Sequence, residues 1–209
     1  MFRLPNTLTV LRILLVPVFA VAYVLPGDTA RLVAFVVFCV AALSDALDGL
    51  AARKLQASSE FGRMLDPIAD KILVAVALMM LVAEGNIRQF TLGSGLHGLL
   101  LLVPALVILA REILVSGLRE FLAGAAVSVP VTAIAKAKTT IQMIAIGAMI
   151  LEPLASRMLP DTIGLTYSTA AYIALWVAAA LTVYTGYVYF RAGLAHVRPA
   201  PNTGAGGQT

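Results

Sequence analysis

Charged residues are scarce in this chain. Only 12% of its 209 residues are Asp, Glu, Lys or Arg, whereas 60% are hydrophobic, and the mean hydropathy is +0.94. A soluble domain of this size needs many more charged and polar residues to cover its surface. The composition therefore excludes an ordinary soluble globular protein and indicates an integral membrane protein.

Cysteine and histidine are almost absent. The single cysteine, Cys39, has no second cysteine in the chain with which to form a disulfide, and it lies within an apolar run. An intrachain disulfide framework is thereby excluded. The two histidines, His97 and His196, lie far in sequence from the acidic cluster described below. A zinc site, which more often recruits His or Cys, is disfavoured there.

The net charge of +4 does not come from a nucleic-acid-binding surface. No basic stripe with interleaved aromatic residues lies on a polar face of the sequence, so we expect no nucleic-acid partner. The positive charge is better interpreted as topology, because loops rich in Lys and Arg stay on the cytoplasmic side of a membrane.

Polar, glycine and proline clusters divide the chain into six apolar runs. Each run approaches the roughly 20 residues that a helix needs to cross a hydrocarbon core of about 30 Å. The predicted spans are 8–25, 31–52, 65–84, 97–119, 133–151 and 167–190. The predicted breaks between them are 26–28, 53–62, 85–95, 124–130 and 153–166. This pattern predicts an all-α integral membrane protein, built as a bundle of six transmembrane helices.

The positive residues also predict an orientation. All of the 15 Lys and Arg residues except Arg31, Arg88 and Arg157 fall on one side of the predicted spans. We therefore expect both termini to be cytoplasmic in a multi-pass protein of the cell inner (plasma) membrane, surrounded by membrane lipids. Residues 1–197 form one predicted domain, and 198–209 form a polar tail that we expect to be disordered.

Four aspartates stand at the cytoplasmic ends of the second and third spans. Asp45 and Asp48 are three residues apart, and Asp66 and Asp70 are four apart, so each pair shares one face of a helix. An ionised acid near the hydrocarbon region costs several kcal/mol unless it has a partner or water. Four such acids within one helical hairpin therefore indicate a functional site.

An antiparallel hairpin brings the two aspartate pairs together. Carboxylates that crowd one site repel each other, so either some of them stay protonated or cations lie between them. Two divalent ions balance the formal charge of four aspartates. Ligation by oxygen alone favours Mg²⁺ or Mn²⁺. A cation site of an ion-coupled transporter is the alternative for such acids, although no inverted repeat is visible.

The residues around the aspartates suit a ligand that bears phosphate. Gly49 and Ala52 leave a small surface that a bulky ligand can approach, and Arg53 offers a fork of donors to a pyrophosphate. Gly62 lies in the predicted loop, one turn before Asp66, where a flat base or a phosphate can approach.

Together these positions resemble a complete family signature. The pattern is Asp45-Ala-Leu-Asp48-Gly49-Leu-Ala-Ala52-Arg53, eight residues, Gly62, three residues, Asp66, three residues, Asp70. It is similar to the signature of the CDP-alcohol phosphotransferases. A chance match at eight fixed positions has a probability on the order of 10⁻¹⁰ at average residue usage.

The resemblance implies a reaction and a role for each residue. Members of this family transfer a phosphatidyl group from CDP-diacylglycerol to an alcohol and release CMP. By position, all four aspartates would be metal ligands, and Asp70 would also be the base that accepts the proton of the alcohol. The residues that would line the CDP moiety are Gly49, Ala52, Arg53 and Gly62. The resemblance also suggests a homodimer, although no clear Gly-x-x-x-Gly face supports one.

Four cations near the cytoplasmic ends of the fourth and fifth spans bear on the acceptor. They are Arg111, Arg119, Lys136 and Lys138. Cations at these positions suit an acceptor that carries its own phosphate. These stretches and the opening Leu4-Pro5-Asn6-Thr7-Leu8-Thr9 resemble the bacterial phosphatidylglycerolphosphate synthases, which implies sn-glycerol 3-phosphate as acceptor. Serine, inositol phosphate or phosphatidylglycerol are the alternatives.

The same cations also have structural interpretations. Arg111 and Arg119 each precede a glutamate and would form ion pairs or anchor the helix at the membrane surface, while the two lysines would attract anionic headgroups. The tyrosines of the last span are expected to face lipid or the membrane interface. They are Tyr167, Tyr172, Tyr184, Tyr187 and Tyr189.

Overall fold

The described residues form six helices and no strand. A computed structural model describes residues 4–55, 60–92, 97–124 and 133–197. The helices are α1 (Leu4–Val24), α2 (Asp28–Leu55), α3 (Glu60–Leu92), α4 (His97–Gly124), α5 (Ala133–Met158) and α6 (Asp161–Val197). The all-α class predicted from the sequence is confirmed for this part of the chain.

Within the residues whose side chains are described, three helices are long and apolar enough to cross a membrane. The segments are Gly98–Leu122, Ala137–Met158 and Asp161–Arg191, and Thr9–Val24 is a shorter apolar helix. Many large apolar side chains on the outer faces of the helices are exposed, among them Leu14, Leu114 and Leu165. So many exposed apolar side chains are typical of a surface that meets lipid and not water.

Several predicted boundaries are wrong because the helices continue beyond the apolar runs. α3 extends through most of the predicted break at 85–95, and α2 and α3 both extend into the predicted break at 53–62. The break at 153–166 shrinks to Leu159 and Pro160. Hydropathy reports where the hydrocarbon ends, whereas a helix satisfies its own backbone groups and continues into the polar region beyond.

Two of the connections are tight turns. Gly27 joins α1 to α2 with φ of 108°, a left-handed conformation that favours glycine. Between α5 and α6, the carbonyl of Pro160 accepts bonds of 2.8 Å from the amides of Ile163 and Gly164. Such short links make α1 and α2, and likewise α5 and α6, antiparallel neighbours.

The helices pack as a closed ring. α1 lies between α2 and α3, α3 packs on α4, α4 on α6, α6 on α5, and α5 returns to α2. α3 also contacts α5 and α2 across the ring. The buried core inside it includes Phe19, Phe38, Ile108, Ile146 and Leu175.

Side-chain contacts establish the direction of each helix. Arg12 meets Ser44 and Tyr23 meets Arg31, so α1 and α2 run in opposite directions. Leu100 meets Trp176 and Arg119 meets Tyr189, so α4 and α6 run in the same direction. Successive helices therefore alternate, and both ends of the described chain lie at one end of the bundle.

The two ends of the bundle carry different residues. Ser44 of α2 and Lys138 of α5 lie at the same end of the bundle, because their sequence neighbours Leu43 and Thr140 line one groove between the two helices. Arg12, near the start of α1, contacts Ser44, so this end also holds both termini of the described chain. We call this the aspartate end, because the backbone of all four aspartates lies there. The opposite end carries Glu84, and we call it the Glu84 end.

Ion pairs tie four helices together at the Glu84 end. Arg31 of α2 donates two hydrogen bonds to Glu84 of α3, at 2.9 and 3.1 Å, and its guanidinium lies 4.2 Å from the ring centroid of Tyr23. The Tyr23 hydroxyl donates to the same carboxylate from α1. Arg157 of α5 pairs with Asp28 of α2 at 2.7 Å. Arg31 and Arg157 share this end, as the charge pattern predicts.

The two arginines at this end should differ in their contribution to stability. Arg31→Gln should lower the free energy of unfolding by about 2 kcal/mol, because it breaks a bidentate, partly buried pair and leaves the Glu84 carboxylate with fewer donors. Arg157→Gln, the matched exchange at an exposed pair, should change it by less than about 0.5 kcal/mol. Thermal unfolding in detergent measures both, and equal losses would contradict the difference.

Candidate active site

The backbone of both aspartate pairs is helical. Asp45 and Asp48 lie in the second half of α2, and Asp66 and Asp70 lie in the first third of α3. The prediction that Gly62 lies in the loop is wrong, because α3 begins at Glu60 and includes it. The predicted site residues whose side chains lie outside the described ones are Asp45, Asp48, Gly49, Ala52, Arg53, Gly62, Asp66, Asp70 and Lys136.

Contacts of α1 with both its neighbours give the level of the two aspartate pairs. Tyr23 meets Arg31 of α2 and Glu84 of α3. Arg12 precedes Tyr23 by 11 residues in α1, and it donates to Ser44 of α2 at 3.5 Å. In α3, the residue that precedes Glu84 by the same 11 residues is Leu73. Ser44 immediately precedes Asp45, and Leu73 follows Asp70 by less than one turn. The backbones of Asp45 and Asp70 therefore lie within roughly one helical turn, about 5 Å, of the same level.

This placement fits the metal that the sequence predicts. Two helices bring the backbones of the four aspartates to one end of the bundle and to a similar level, and Mg²⁺ and Mn²⁺ prefer oxygen ligands such as carboxylates. Among the side chains that the structure describes, which do not include those of the four aspartates, no group of three or more His, Cys, Asp or Glu could hold a metal ion.

Glu112 of α4 is shared by two of the predicted acceptor cations. Lys138 of α5 is only 2% exposed, and its ammonium donates to the Glu112 carboxylate. The Nη1 atom of Arg111 lies 3.5 Å from the same carboxylate oxygen. The ion-pair interpretation therefore holds for Arg111, and Lys138 pairs with an acid on another helix. One carboxylate orients both cations and links α4 to α5.

α6 supports Arg111 from the other side. The Nη2 atom of Arg111 donates to Oγ1 of Thr185 at 2.9 Å. A Cβ at Gly186 would lie 2.9 Å from Cγ of Arg111, so a larger residue there would force the arginine side chain to shift. The sequence alone does not predict a role for Thr185 or Gly186. In the sequence they stand out only as a threonine next to a glycine in α6.

Tyr189 of α6 contacts Arg119. The guanidinium of Arg119 lies 5.5 Å from the centroid of the Tyr189 ring, and its Nη2 atom donates to the hydroxyl at 3.4 Å. Tyr189 is only 5% exposed, so its predicted position facing lipid is wrong. Tyr184 and Tyr187 are exposed, as predicted. A cation above an aromatic face is held in place while its remaining donors stay open.

The comparison with known proteins identifies the family. A sequence model of the family described as CDP-alcohol phosphatidyltransferase matches residues 2–184, which include every predicted site residue. This chain belongs to the CDP-alcohol phosphatidyltransferase family. The family resemblance drawn from the aspartate pattern is confirmed.

Relatives within the CDP-alcohol phosphatidyltransferase family match nearly the whole chain. A protein of Rickettsia felis is 42% identical over 191 residues, which cover 91% of this chain and 94% of the relative. A protein of Salmonella typhimurium is 38% identical over 193 residues, which cover 91% and 94%. One of Pseudomonas fluorescens is 38% identical over 200 residues, which cover 94% and 92%. Each is named CDP-diacylglycerol--glycerol-3-phosphate 3-phosphatidyltransferase.

Removing the Glu112 carboxylate alone should cost more stability than removing it together with the Lys138 ammonium. Glu112→Gln should lower the free energy of unfolding by about 3 kcal/mol, because it takes the carboxylate from the buried Lys138 ammonium. The double variant Glu112→Gln with Lys138→Met should lose less than the single variant, because no buried charge is left at position 138.

Glu120→Gln is the matched control for this pair. Glu120 lies on the same helix and is exposed, so the exchange should change stability by less than about 0.5 kcal/mol. Chemical unfolding of the three variants in detergent measures the effect. If the double variant is no more stable than Glu112→Gln, the coupling between Glu112 and Lys138 is absent.

Proposed function

We propose that this enzyme transfers the phosphatidyl group of CDP-diacylglycerol to sn-glycerol 3-phosphate, giving phosphatidylglycerol phosphate and CMP in phospholipid biosynthesis. The observation that carries the proposal is the similarity to relatives of that name, at 38–42% identity over more than nine-tenths of the chain. The complete aspartate signature in α2 and α3 and the cations of α4 and α5 add to it.

The cations at the aspartate end support an acceptor that carries a phosphate. Arg111 and Lys138 share the carboxylate of Glu112, so their charge is partly compensated. Arg119 is exposed, and its described contact is with the Tyr189 ring and hydroxyl, which does not neutralise it. A guanidinium held in this way presents several donors to a phosphate. We assign Arg119 as the main acceptor-phosphate residue, with Arg111, Lys136 and Lys138 around it.

The reaction forms one bond and breaks another at a single phosphorus. The acceptor hydroxyl oxygen bonds to the phosphorus that bears the diacylglycerol, and the bond from that phosphorus to CMP breaks. The Asp70 carboxylate takes the hydroxyl proton. Gly49, Ala52, Arg53 and Gly62 hold the CDP moiety so that CMP can leave. The protein thus contributes mainly orientation and charge.

The aspartates have a second role as metal ligands. Asp45, Asp48, Asp66 and Asp70 would hold two divalent ions, Mg²⁺ or Mn²⁺. When bound, these ions supply positive charge that neutralises the attacking and leaving oxygens. Because a carboxylate is a weak base for an alcohol, a nearby divalent ion would have to make the alcohol hydroxyl more acidic. We therefore expect an absolute requirement for divalent metal.

The placement in the membrane follows from the charge pattern. All six helices would cross the cell inner (plasma) membrane, with the aspartate end and both termini in the cytoplasm. Residues 1–197 would form the transferase domain, residues 198–209 a disordered tail, and two copies a homodimer. The alternation of helix directions and the exposed apolar faces support this arrangement.

A panel of acceptors tests the proposed reaction. Purified protein with CDP-diacylglycerol and Mg²⁺ should release CMP at least about tenfold faster with sn-glycerol 3-phosphate than with serine, inositol phosphate or phosphatidylglycerol, a difference of about 1.4 kcal/mol. Faster release with one of the other acceptors would reassign the acceptor within the family. No CMP release with any of them would favour the transporter alternative.

Single aspartate variants separate the base from the metal ligands. Asp70→Asn should lower kcat by about 10²- to 10⁴-fold, because the proton acceptor is lost, while CDP-diacylglycerol still binds. Asp45→Asn should instead raise the Mg²⁺ concentration needed for half-maximal rate. Initial rates of CMP release over a Mg²⁺ titration, with EDTA as the zero point, measure both.

Asp161→Asn is the matched control for the aspartate variants. It makes the same exchange at an exposed position, the first residue of α6 at the Glu84 end, and should leave both kinetic quantities unchanged. Wild-type turnover of Asp70→Asn at saturating Mg²⁺ would refute the base assignment.

A further inference from the structure

A cation lies deep in the bundle, on the first helix. Among the described residues, Arg12 is the charged side chain with the lowest exposure, at 1%. It belongs to the apolar helical segment Thr9–Val24. A buried guanidinium in such a segment is costly unless acidic groups balance its charge, so its position calls for a functional explanation.

Arg12 lies on the face of α1 that meets both α2 and α3. It precedes Tyr23 by 11 residues, which is close to three full turns, so the two residues share one face. Tyr23 contacts Arg31 of α2 and Glu84 of α3. Nε of Arg12 donates to Oγ of Ser44 in α2 at 3.5 Å, and Arg12 also has a further interaction. Arg12 therefore faces the same two helices as Tyr23, three turns nearer the aspartates.

The two aspartates of α2 are close to this guanidinium. Asp45 follows Ser44 directly, so its Cα lies about 10 Å at most from Nε of Arg12, across one hydrogen bond, the short serine side chain and one step along the backbone. Asp48 follows Ser44 by four residues and therefore occupies the same face of α2. Charges this close inside a protein are poorly screened by salt.

The two aspartates of α3 occupy the face of that helix that meets α1. Asp70 and Asp66 precede Glu84 by 14 and 18 residues, close to four and five full turns, and Glu84 accepts a hydrogen bond from Tyr23 of α1. Asp70 also lies within about one turn of the level of Arg12, as the equal steps along α1 and α3 establish. α1 thus brings a buried cation to the level of both aspartate pairs.

We propose that Arg12 is a positioning residue that balances the charge of the aspartates when no metal is bound. Carboxylates crowded at one level repel each other, and a guanidinium fixed beside them offsets part of that repulsion. Divalent ions at the aspartates would supply the same compensation, and Arg12 would repel them. Arg12 therefore stabilises the empty site and weakens metal binding. This role rests on the metal site of the proposed function.

Thermal unfolding of the full chain in an uncharged detergent, in EDTA and over a Mg²⁺ titration, tests this role. Arg12→Gln removes the charge but keeps a donor for Ser44. It should lower Tm more in EDTA than in saturating Mg²⁺, and it should bind Mg²⁺ at least about tenfold more tightly than the wild type. Arg12→Lys keeps the charge, so its Mg²⁺ affinity should stay within about threefold of the wild type.

Two controls separate charge balance from packing. Arg31→Gln makes the same exchange three turns away, at the Glu84 end, so it should lower Tm equally in EDTA and in Mg²⁺. Asp45→Asn should reduce the rise in Tm that Mg²⁺ produces, because it removes a proposed ligand. Arg12 acting only through packing or its bond to Ser44 predicts equal losses of Tm in both conditions.

The outcomes distinguish this role from the metal site itself. If Mg²⁺ raises the Tm of the wild type but Arg12→Gln binds Mg²⁺ no more tightly, the role of Arg12 is refuted and the metal site stands. If Mg²⁺ leaves the wild-type Tm unchanged, the metal site is refuted and this role with it. If Arg12→Gln folds in neither condition, Arg12→Lys decides, because a changed Mg²⁺ affinity in that variant contradicts a role of charge.

Discussion

The structure depends on one constraint: inside a bilayer, a polar group must find its partner within the protein. The bundle meets this constraint by pairing charged side chains between helices, and also along α4, where Arg111 faces Glu112. Arg31 and Glu84 join α2 to α3, and Glu112 and Lys138 join α4 to α5. Each of these pairs replaces water with a defined contact, and each fixes the relative position of two helices. These pairs join the two helices on either side of α1 and the two on either side of α6, while the apolar core packs the neighbouring helices of the ring.

The two ends of the bundle use charge differently. At the Glu84 end the described arginines are matched by acids, since Arg31 faces Glu84 and Arg157 faces Asp28. At the aspartate end, Glu112 is shared by two cations and Arg119 rests on an aromatic ring. Matched charges stabilise a fold without attracting ligands. In the proposed function, the partly compensated cations would bind phosphates, and the four aspartates would bind the metal.

Much of the fold and the family could be predicted from the sequence, because both depend on patterns along the chain. The number of helices follows from six apolar runs, and the aspartate spacing leads to the family. The extent of the helices could not be predicted, since hydropathy changes at the membrane surface while backbone hydrogen bonding continues. Gly62 was therefore placed in a loop, although it lies in the first turn of α3.

Contacts between helices were also beyond the sequence. Tyr189 resembles its exposed neighbours Tyr184 and Tyr187 in an α6 that is apolar on all sides, so no periodicity shows which tyrosine faces the bundle. Its role depends on Arg119, which is 70 residues away. The ion pair of Lys138 with Glu112 is hidden for the same reason, because it joins α4 and α5, which come together only in the folded bundle.

The fixed Glu84 end has a consequence for the aspartate end. Arg31, Glu84 and Tyr23 hold α1, α2 and α3 at a common level, and α2 and α3 are continuous helices from there to the aspartates. A shift of α2 against α3 by one residue would displace one aspartate pair from the other by about 1.5 Å. A metal site tolerates displacements of only a few tenths of an ångström in its ligand distances. The ion pairs at the far end therefore help to set the register of the aspartates, although they contact no substrate.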